Sequence, residues 1–454
     1  MRRVVLLLAL AAQGLPRLNA APDLHVAAGV LAADALRRPT AGISLLMARR
    51  SGIIAAPISR AFGFADAEGK VPVTPDTIFH IASVSKYIEA AVAVRLVEQG
   101  KLSLDEDITR YVPDAPTHGT RVTIRHLLTH TSGIYNFTSL PDAAANEALD
   151  RTHDEVLASI RSRPLDFAPG TSWRYSNTGF YLVGMAIEKV TGRPYAAYLR
   201  DSVFAPLQMD SASLCDVHRQ VPGLALGHVI GGGKLAPPPP MTWTLPFAAG
   251  SVCATTRDLL RWETALDQGR FISPAHVQEM RLPTVLADGT RIDYGLGTRL
   301  GSLQGHAVVG HTGSGGGFNT ALEYFPNDQL TVVVLTNTDN HGAASLAGAL
   351  ARSAFELGPS NLTDSAVPDA EAAALTGVFE SDDGAIESYR CGEKLCGKPP
   401  GAPQGRALRR QGPFRYAADA DTEVRFQQNP RGSEWGFVYT GGLLVDAKRR
   451  VSPR

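Results

Sequence analysis

Two strand-rich stretches set far apart along the chain constrain its fold more than any other feature. The later one, "HAVVGHTGSGGGFNTALEYFPNDQLTVVVLTN" from His306 to Asn337, reads as three short strands separated by a Gly-rich turn and an Asn-Asp turn. The earlier one, Thr40 to Asp66, also suggests antiparallel strands with turns. Between them a largely helical middle runs from Leu102 to about Met209, with helix signals at "TIRHLLTHTSG" and "GFYLVGMAIEKVTG". A helix from Ala343 to Leu357 would cover the late strands. Helices are thus inserted between early and late strands of one sheet. That predicts an α+β fold, an antiparallel sheet flanked by helices with an inserted helical subdomain. "GGGKLAPPPP", Gly231 to Pro240, is expected to form no regular element.

Composition shifts after this block. "GPSNLTDSAVPDAEAA" is rich in small polar residues and Pro and reads as a linker, 359–372. Residues 373–454 alternate apolar and polar in short pieces such as "TEVRFQ", which predicts a small β-rich accessory domain behind a main domain of 22–358. At the other end, "MRRVVLLLALAAQGLPRLNAAP" places two arginines before an apolar stretch and then small residues. This reads as an export signal over 1–21, with a periplasmic or secreted product. The apolar stretch is too short to span a bilayer comfortably, so no stable membrane span is expected after cleavage.

The 454 residues are 44% hydrophobic and 19% charged with zero formal net charge, and no basic run stands out. Neither nucleic acid nor an anionic membrane is favoured as a partner, and a small neutral or zwitterionic molecule fits better. Four cysteines are too few for a disulfide scaffold. Cys391 and Cys396 are close enough in sequence to close a small loop, whereas Cys215 and Cys253 are expected to be isolated. The histidines show no metal-ligand spacing, and neither metal nor organic cofactor is expected.

Three clusters carry candidate chemistry. In "FHIASVSKYIEAAVAVRLVEQG", Ser83 lies at or near a helix N-terminus, and Lys86, three residues on, shares its face, while Ser85 points elsewhere. A serine hydroxyl needs a base, and a lysine can serve once desolvation makes it neutral. The chain has 44 Lys plus Arg, mostly arginine, so a lysine here is informative. Alone, the pair reads rather as a helix cap beside a solvated lysine. In "WRYSNTGFYLVG", Tyr175 can relay a proton and Asn177 can hold a substrate carbonyl, or the pair can be an aromatic plug and a cap. In "GHTGSGGGFN", glycines let a substrate lie against an edge-like strand, Ser314 offers an amide to an oxyanion, and His311 could face the same site.

Taken in order, Ser-x-x-Lys, Tyr-x-Asn and His-Thr-Gly resemble the serine β-lactamase and penicillin-binding protein superfamily, in particular class C β-lactamase-related hydrolases and DD-peptidases. "LLTHTSGI", "AAGSVCATTRDLLRW" and "YGLG" at Tyr294 resemble the same family, and the likeness covers roughly Ala41 to Asn337. The resemblance implies an acyl-enzyme on Ser83 with Lys86 as base and Tyr175 as proton relay. It also implies substrate contacts from Asn177, His311, Thr312, Gly313 and Ser314, and an oxyanion between the amides of Ser83 and Ser314. His130 in "LLTHTSG" is read as structural. Family β-lactamases usually carry lysine where His311 stands. A histidine is mostly neutral at neutral pH, so ester or amide bonds, D-alanyl peptides included, are expected as substrates ahead of efficient β-lactam hydrolysis. Protonation of His311 towards pH 6 is expected to restore a cation. A catalytically silent penicillin-recognising sensor is the alternative.

Overall fold

The computed structural model describes residues 24–37, 39–50, 56–143, 148–215, 221–242, 244–339, 342–357, 364–381, 384–398, 402–417, 423–428, 435–440 and 447–450. The expected export signal lies outside them.

The early and late strands do join one sheet. Strands β1 (Gly42–Arg49), β2 (Ile58–Asp66), β3 (Val71–Pro72), β4 (Arg299–Leu303), β5 (His306–Gly315), β6 (Phe318–Phe325) and β7 (Leu330–Thr336) lie in the order β4-β5-β6-β7-β1-β2-β3. Neighbouring strands run antiparallel, and the early and late strands meet where β7 pairs with β1, Val334 opposite Leu45. Every residue of β7 is buried, which is why "LTVVVLT" is a continuous apolar run and not an alternation.

The two faces of the sheet carry different layers. Ile43, Leu45 and Met47 point, with Val332 and Val334, to one face, where α1 (Leu24–Ala35) and α4 (Ala343–Ala354) pack. Leu46, Val333 and Leu335 point to the other, onto α2 (Ser85–Glu98), α3 (Asn177–Thr191) and the helical region around them. α2 is buried almost all round: from Ser85 to Val94 each residue is inaccessible to water. A helix buried in this way has to satisfy its polar side chains internally, and that demand shapes the site described below.

Three expectations are corrected. Cys215 and Cys253 are joined in a disulfide with Cα atoms 5.3 Å apart. Strand pairing brings them together, because Ser213 lies opposite Cys253 and the Cys215 N–H bonds the Ser251 carbonyl. Within the Gly- and Pro-rich stretch a short hairpin forms, Val229–Gly231 against Lys234–Ala236, turning at two glycines with positive φ, Gly232 and Gly233. Among the described residues of the linker expected over 359–372, which begin at Asp364, lies the start of a helix, Asp369–Leu375, directly after Pro368. Glu371 in that helix is buried and accepts from the Tyr416 hydroxyl at 2.6 Å and Arg410 Nη2 at 2.8 Å, which ties it to the strands that follow. Those strands, from Gly377–Ser381 to Ala447–Arg450, close into an eight-stranded antiparallel barrel. The Cys391–Cys396 bridge spans one of its turns.

Candidate active site

Ser83 sits in a single 3-10 turn, Ala82–Val84, that runs directly into α2. Ala82 has φ of 46°, a left-handed conformation that a residue with a Cβ adopts only under constraint from its surroundings. The constraint is visible at Gly313 on β5: a Cβ there would overlap the Ile81 carbonyl and crowd Ala82. Glycine at 313 therefore lets the third-motif strand close on the turn that carries Ser83. Ser85 is buried, and its Oγ accepts the Val252 N–H at 3.1 Å, away from Lys86.

Lys86 is fully buried. Its Nζ stands 3.0 Å from Ser83 Oγ, 2.7 Å from Asn177 Oδ1 and 2.6 Å from the Ala249 carbonyl. Burial pulls its pKa down to about 7, opposed by the nearby Glu89 carboxyl. A neutral amine has two N–H groups and one lone pair. Asn177 Oδ1 and the Ala249 carbonyl can only accept, so they take both hydrogens, and the lone pair is left for the Ser83 hydroxyl. That is the geometry of a general base. Asn177 is itself engaged at both ends, since its Nδ2 donates to Thr138 Oγ1 at 3.1 Å, so in this structure it orients the lysine.

Behind the lysine lies an aromatic layer. The Tyr175 ring centroid is 4.9 Å from Lys86 Nζ and 4.3 Å from the His130 ring, tilted by 39° to it. His130, Tyr294 and His311 form a buried chain whose proton positions follow from its ends. The Ser176 N–H donates to His130 Nδ1 at 3.1 Å, so His130 Nε2 carries the proton and donates to the Tyr294 hydroxyl at 3.1 Å. Tyr294 then donates to His311 Nε2 at 3.0 Å, and His311 Nδ1–H donates to the Thr312 carbonyl. Both imidazoles are held neutral. Desolvation, then Lys86, keeps His311 well below the usual histidine range, with Arg299 adding to the effect. His130 is depressed in the same way by burial, Lys86 and His311. Two expectations change with this. His311 does not become a cation near pH 6, and it faces Tyr294 rather than the cleft that Ser83 lines.

Three residues near the site had no motif to announce them. Arg299, on edge strand β4, donates from Nη1 to Thr312 Oγ1 at 2.6 Å, so a guanidinium stands behind the third motif where the neutral His311 supplies no charge. Its one sequence signal is its place shortly after "YGLG". Glu89, one turn beyond Lys86, is fully buried with both carboxyl oxygens lacking a hydrogen-bond partner among the described residues, and burial pushes its pKa well up. Asp339 accepts the Ser314 hydroxyl at 2.6 Å.

The cleft in front of Ser83 has a volume of about 290 Å³. Ser83, Asn177 and Ser314 line it on the polar side, and Phe137, Met241 and Leu245 among others form an apolar wall. Ser83, in the turn that leads into a buried helix, and Ser314 both line this cleft, the two residues whose amides the family resemblance pairs around an acyl oxygen. Of the candidate residues, the structure gathers Ser83, Lys86, Tyr175, Asn177 and Ser314 around one point, and leaves His311, Thr312 and Gly313 as support behind Ser314.

A sequence model described as "Beta-lactamase" matches residues 33–355. Penicillin-binding protein 4* of Bacillus subtilis is 30% identical over 306 residues, 62% of this chain and 65% of that protein. Esterase EstB of Burkholderia gladioli is 38% identical over 193 residues, 39% of this chain and 48% of the esterase. The chain thus matches only about half to two thirds of these relatives' length. Among solved structures, the D-amino acid amidase of Ochrobactrum anthropi complexed with L-phenylalanine amide superposes with a TM-score of 0.63 at 26% identity, covering 74% of this chain and 99% of the amidase.

Proposed function

The chain belongs to the beta-lactamase family, and from that premise we propose that it is a serine hydrolase forming an acyl-enzyme on Ser83, with esters and amides as substrates. The observation that carries the reading is the hydrogen-bond geometry at Lys86, whose two obligate acceptors leave the amine lone pair for Ser83. In acylation, Lys86 Nζ takes the Ser83 proton as Oγ bonds to the acyl carbon. The acyl oxygen gathers negative charge between the Ser83 and Ser314 amides. The proton returns, with Tyr175 beside Lys86 as relay, to the departing alcohol or amine as its bond to the acyl carbon breaks. Water, deprotonated by the same groups, then releases the acid and regenerates the Ser83 hydroxyl.

Relatives named as an esterase and a D-amino acid amidase support an acyl donor outside the β-lactams. So does the neutral, inward-facing His311, which offers a β-lactam carboxylate no charge. Aryl esters of short acids are turned over, whereas penicillins at most acylate Ser83 and leave slowly. The test compares kcat/KM for a short aryl ester, a D-alanyl peptide and a chromogenic lactam in wild type and Lys86→Arg. Ester turnover that falls by about two orders of magnitude or more in the arginine variant is expected, since arginine keeps the charge but cannot act as the base. An active arginine variant, or lactam hydrolysis as efficient as ester hydrolysis, would contradict the reading.

A further inference from the structure

One charged side chain lines the cleft among the described residues, and it is an acid. Asp339 follows β7, and its Oδ1 accepts the Ser314 hydroxyl at 2.6 Å, which places the carboxylate one side chain away from the amide that borders the acyl oxygen. The other titratable group on the cleft wall, His80, is driven by burial down to about 3 and is neutral. Among the described residues no ion pair meets Asp339. Lys86 directs its hydrogens to Asn177 and Ala249, and the Arg299 guanidinium is bound to Thr312 and does not line the cleft.

The carboxylate is also held in place. The Asp339 N–H bonds the His228 carbonyl at 2.9 Å. Two residues earlier, the buried Asn337 donates from Nδ2 to the carbonyls of Phe64, Ala65 and Leu226 at 3.1, 3.1 and 2.8 Å. Asp339 is half-buried, and no partner other than Ser314 meets its side chain among the described residues. An acid fixed in a partly dry cleft and lacking a counter-charge among the described residues is suited to receive a cation, because a charge-assisted hydrogen bond there is about twice as strong as a neutral one. A substituent on the carbon next to the scissile carbonyl lies two bonds from the acyl carbon, within reach of a side chain that bonds Ser314 on the cleft wall.

Resting on the hydrolase reading above, we propose that Asp339 is a specificity-determining residue that recognises a protonated amine on the acyl group, which makes α-amino acyl esters and amides the favoured substrates. The apolar wall of Phe137, Met241 and Leu245 would then take the rest of the acyl group.

The test measures kcat/KM near pH 7 for the aryl ester of an α-amino acid, in both enantiomers, against its N-acetyl derivative, with the protein as it stands and with Asp339→Asn. Asparagine keeps an oxygen to accept the Ser314 hydroxyl and removes only the charge, so it separates recognition from support of Ser314. In the wild type the free-amine ester should exceed the N-acetyl ester by about 10- to 100-fold for at least one enantiomer, and Asp339→Asn should bring the ratio close to one. Labelling of Ser83 by a fluorophosphonate and an unchanged circular dichroism spectrum show that the variant is folded. A wild-type ratio near one, or a ratio that survives in the asparagine variant, would overturn the proposal while leaving the hydrolase reading intact, provided the N-acetyl ester is turned over at Ser83. Failure of every ester, with Ser83 unlabelled, would overturn both.

Discussion

Lys86 has to be neutral to act, and its pKa of about 7 fixes the pH at which it does so. Below that value the protonated form dominates and cannot accept the Ser83 proton. We therefore expect kcat/KM for an uncharged ester to rise with pH through about 7 and level off above it, with the rise lost in Lys86→Arg. A second titration in the usual histidine range is not expected from His130 or His311, because burial and the Lys86 charge hold both well below it. Tyr294 joins those two rings, so Tyr294→Phe orphans the His130 Nε2–H and the His311 Nε2 together. Denaturant titration should show a loss of about 1–3 kcal/mol, the cost of leaving a buried polar group unmet. The Ser83–Lys86 pairing was legible in the sequence because it is local, two residues three apart on a helix. The state of His311 was not, because its burial, the charges of Lys86 and Arg299 beside it and its Tyr294 partner all depend on other elements. His130, read as a structural residue, is better described as the fixed end of the chain that carries Tyr294 and flanks Tyr175.

At the level of elements, the turn that carries Ser83 is braced by a small sheet. Phe79–His80 pairs with Val252–Ala254, which pairs with Ser213–Leu214, and the Cys215–Cys253 disulfide locks the last pairing. The bridge closes a separation of 38 residues, for which loss of cross-linking typically costs about 2–4 kcal/mol. Replacing both cysteines with serine should lower the thermal midpoint accordingly, and an unchanged midpoint would show that strand pairing alone holds the region. The sequence pattern found β1, β2, β5, β6 and β7 of the main sheet, and α2 and α3, whose apolar faces recur over many residues, but not the edge strands β3 and β4. It did not find Ser213–Leu214 or the hairpin at Val229–Gly231, each of two or three residues, whose existence depends on partners rather than on their own pattern. The disulfide was illegible for the same reason, since nothing local to Cys215 announces Cys253.

Across the whole molecule, the long connection from β3 to β4 delivers the helix that carries Lys86, the Tyr175 loop and the cleft wall to one face of a sheet in which β5, next to the edge strand β4, carries the third motif. The antiparallel sheet with inserted helices was legible because early and late strands had no other partners of suitable length. The closed C-terminal barrel was legible only as short strands, since closure is a property of the pairing between Gly377–Ser381 and Ala447–Arg450 and not of either strand. The central claim is that this arrangement makes Ser83 a nucleophile. Intact-mass measurement after treatment with a fluorophosphonate, followed by peptide mapping, tests it most directly. A single adduct on Ser83 is expected, formed at a rate that rises through about pH 7, absent in Ser83→Ala and retained in Ser85→Ala. An adduct on another residue, or labelling that persists in Ser83→Ala, would contradict it.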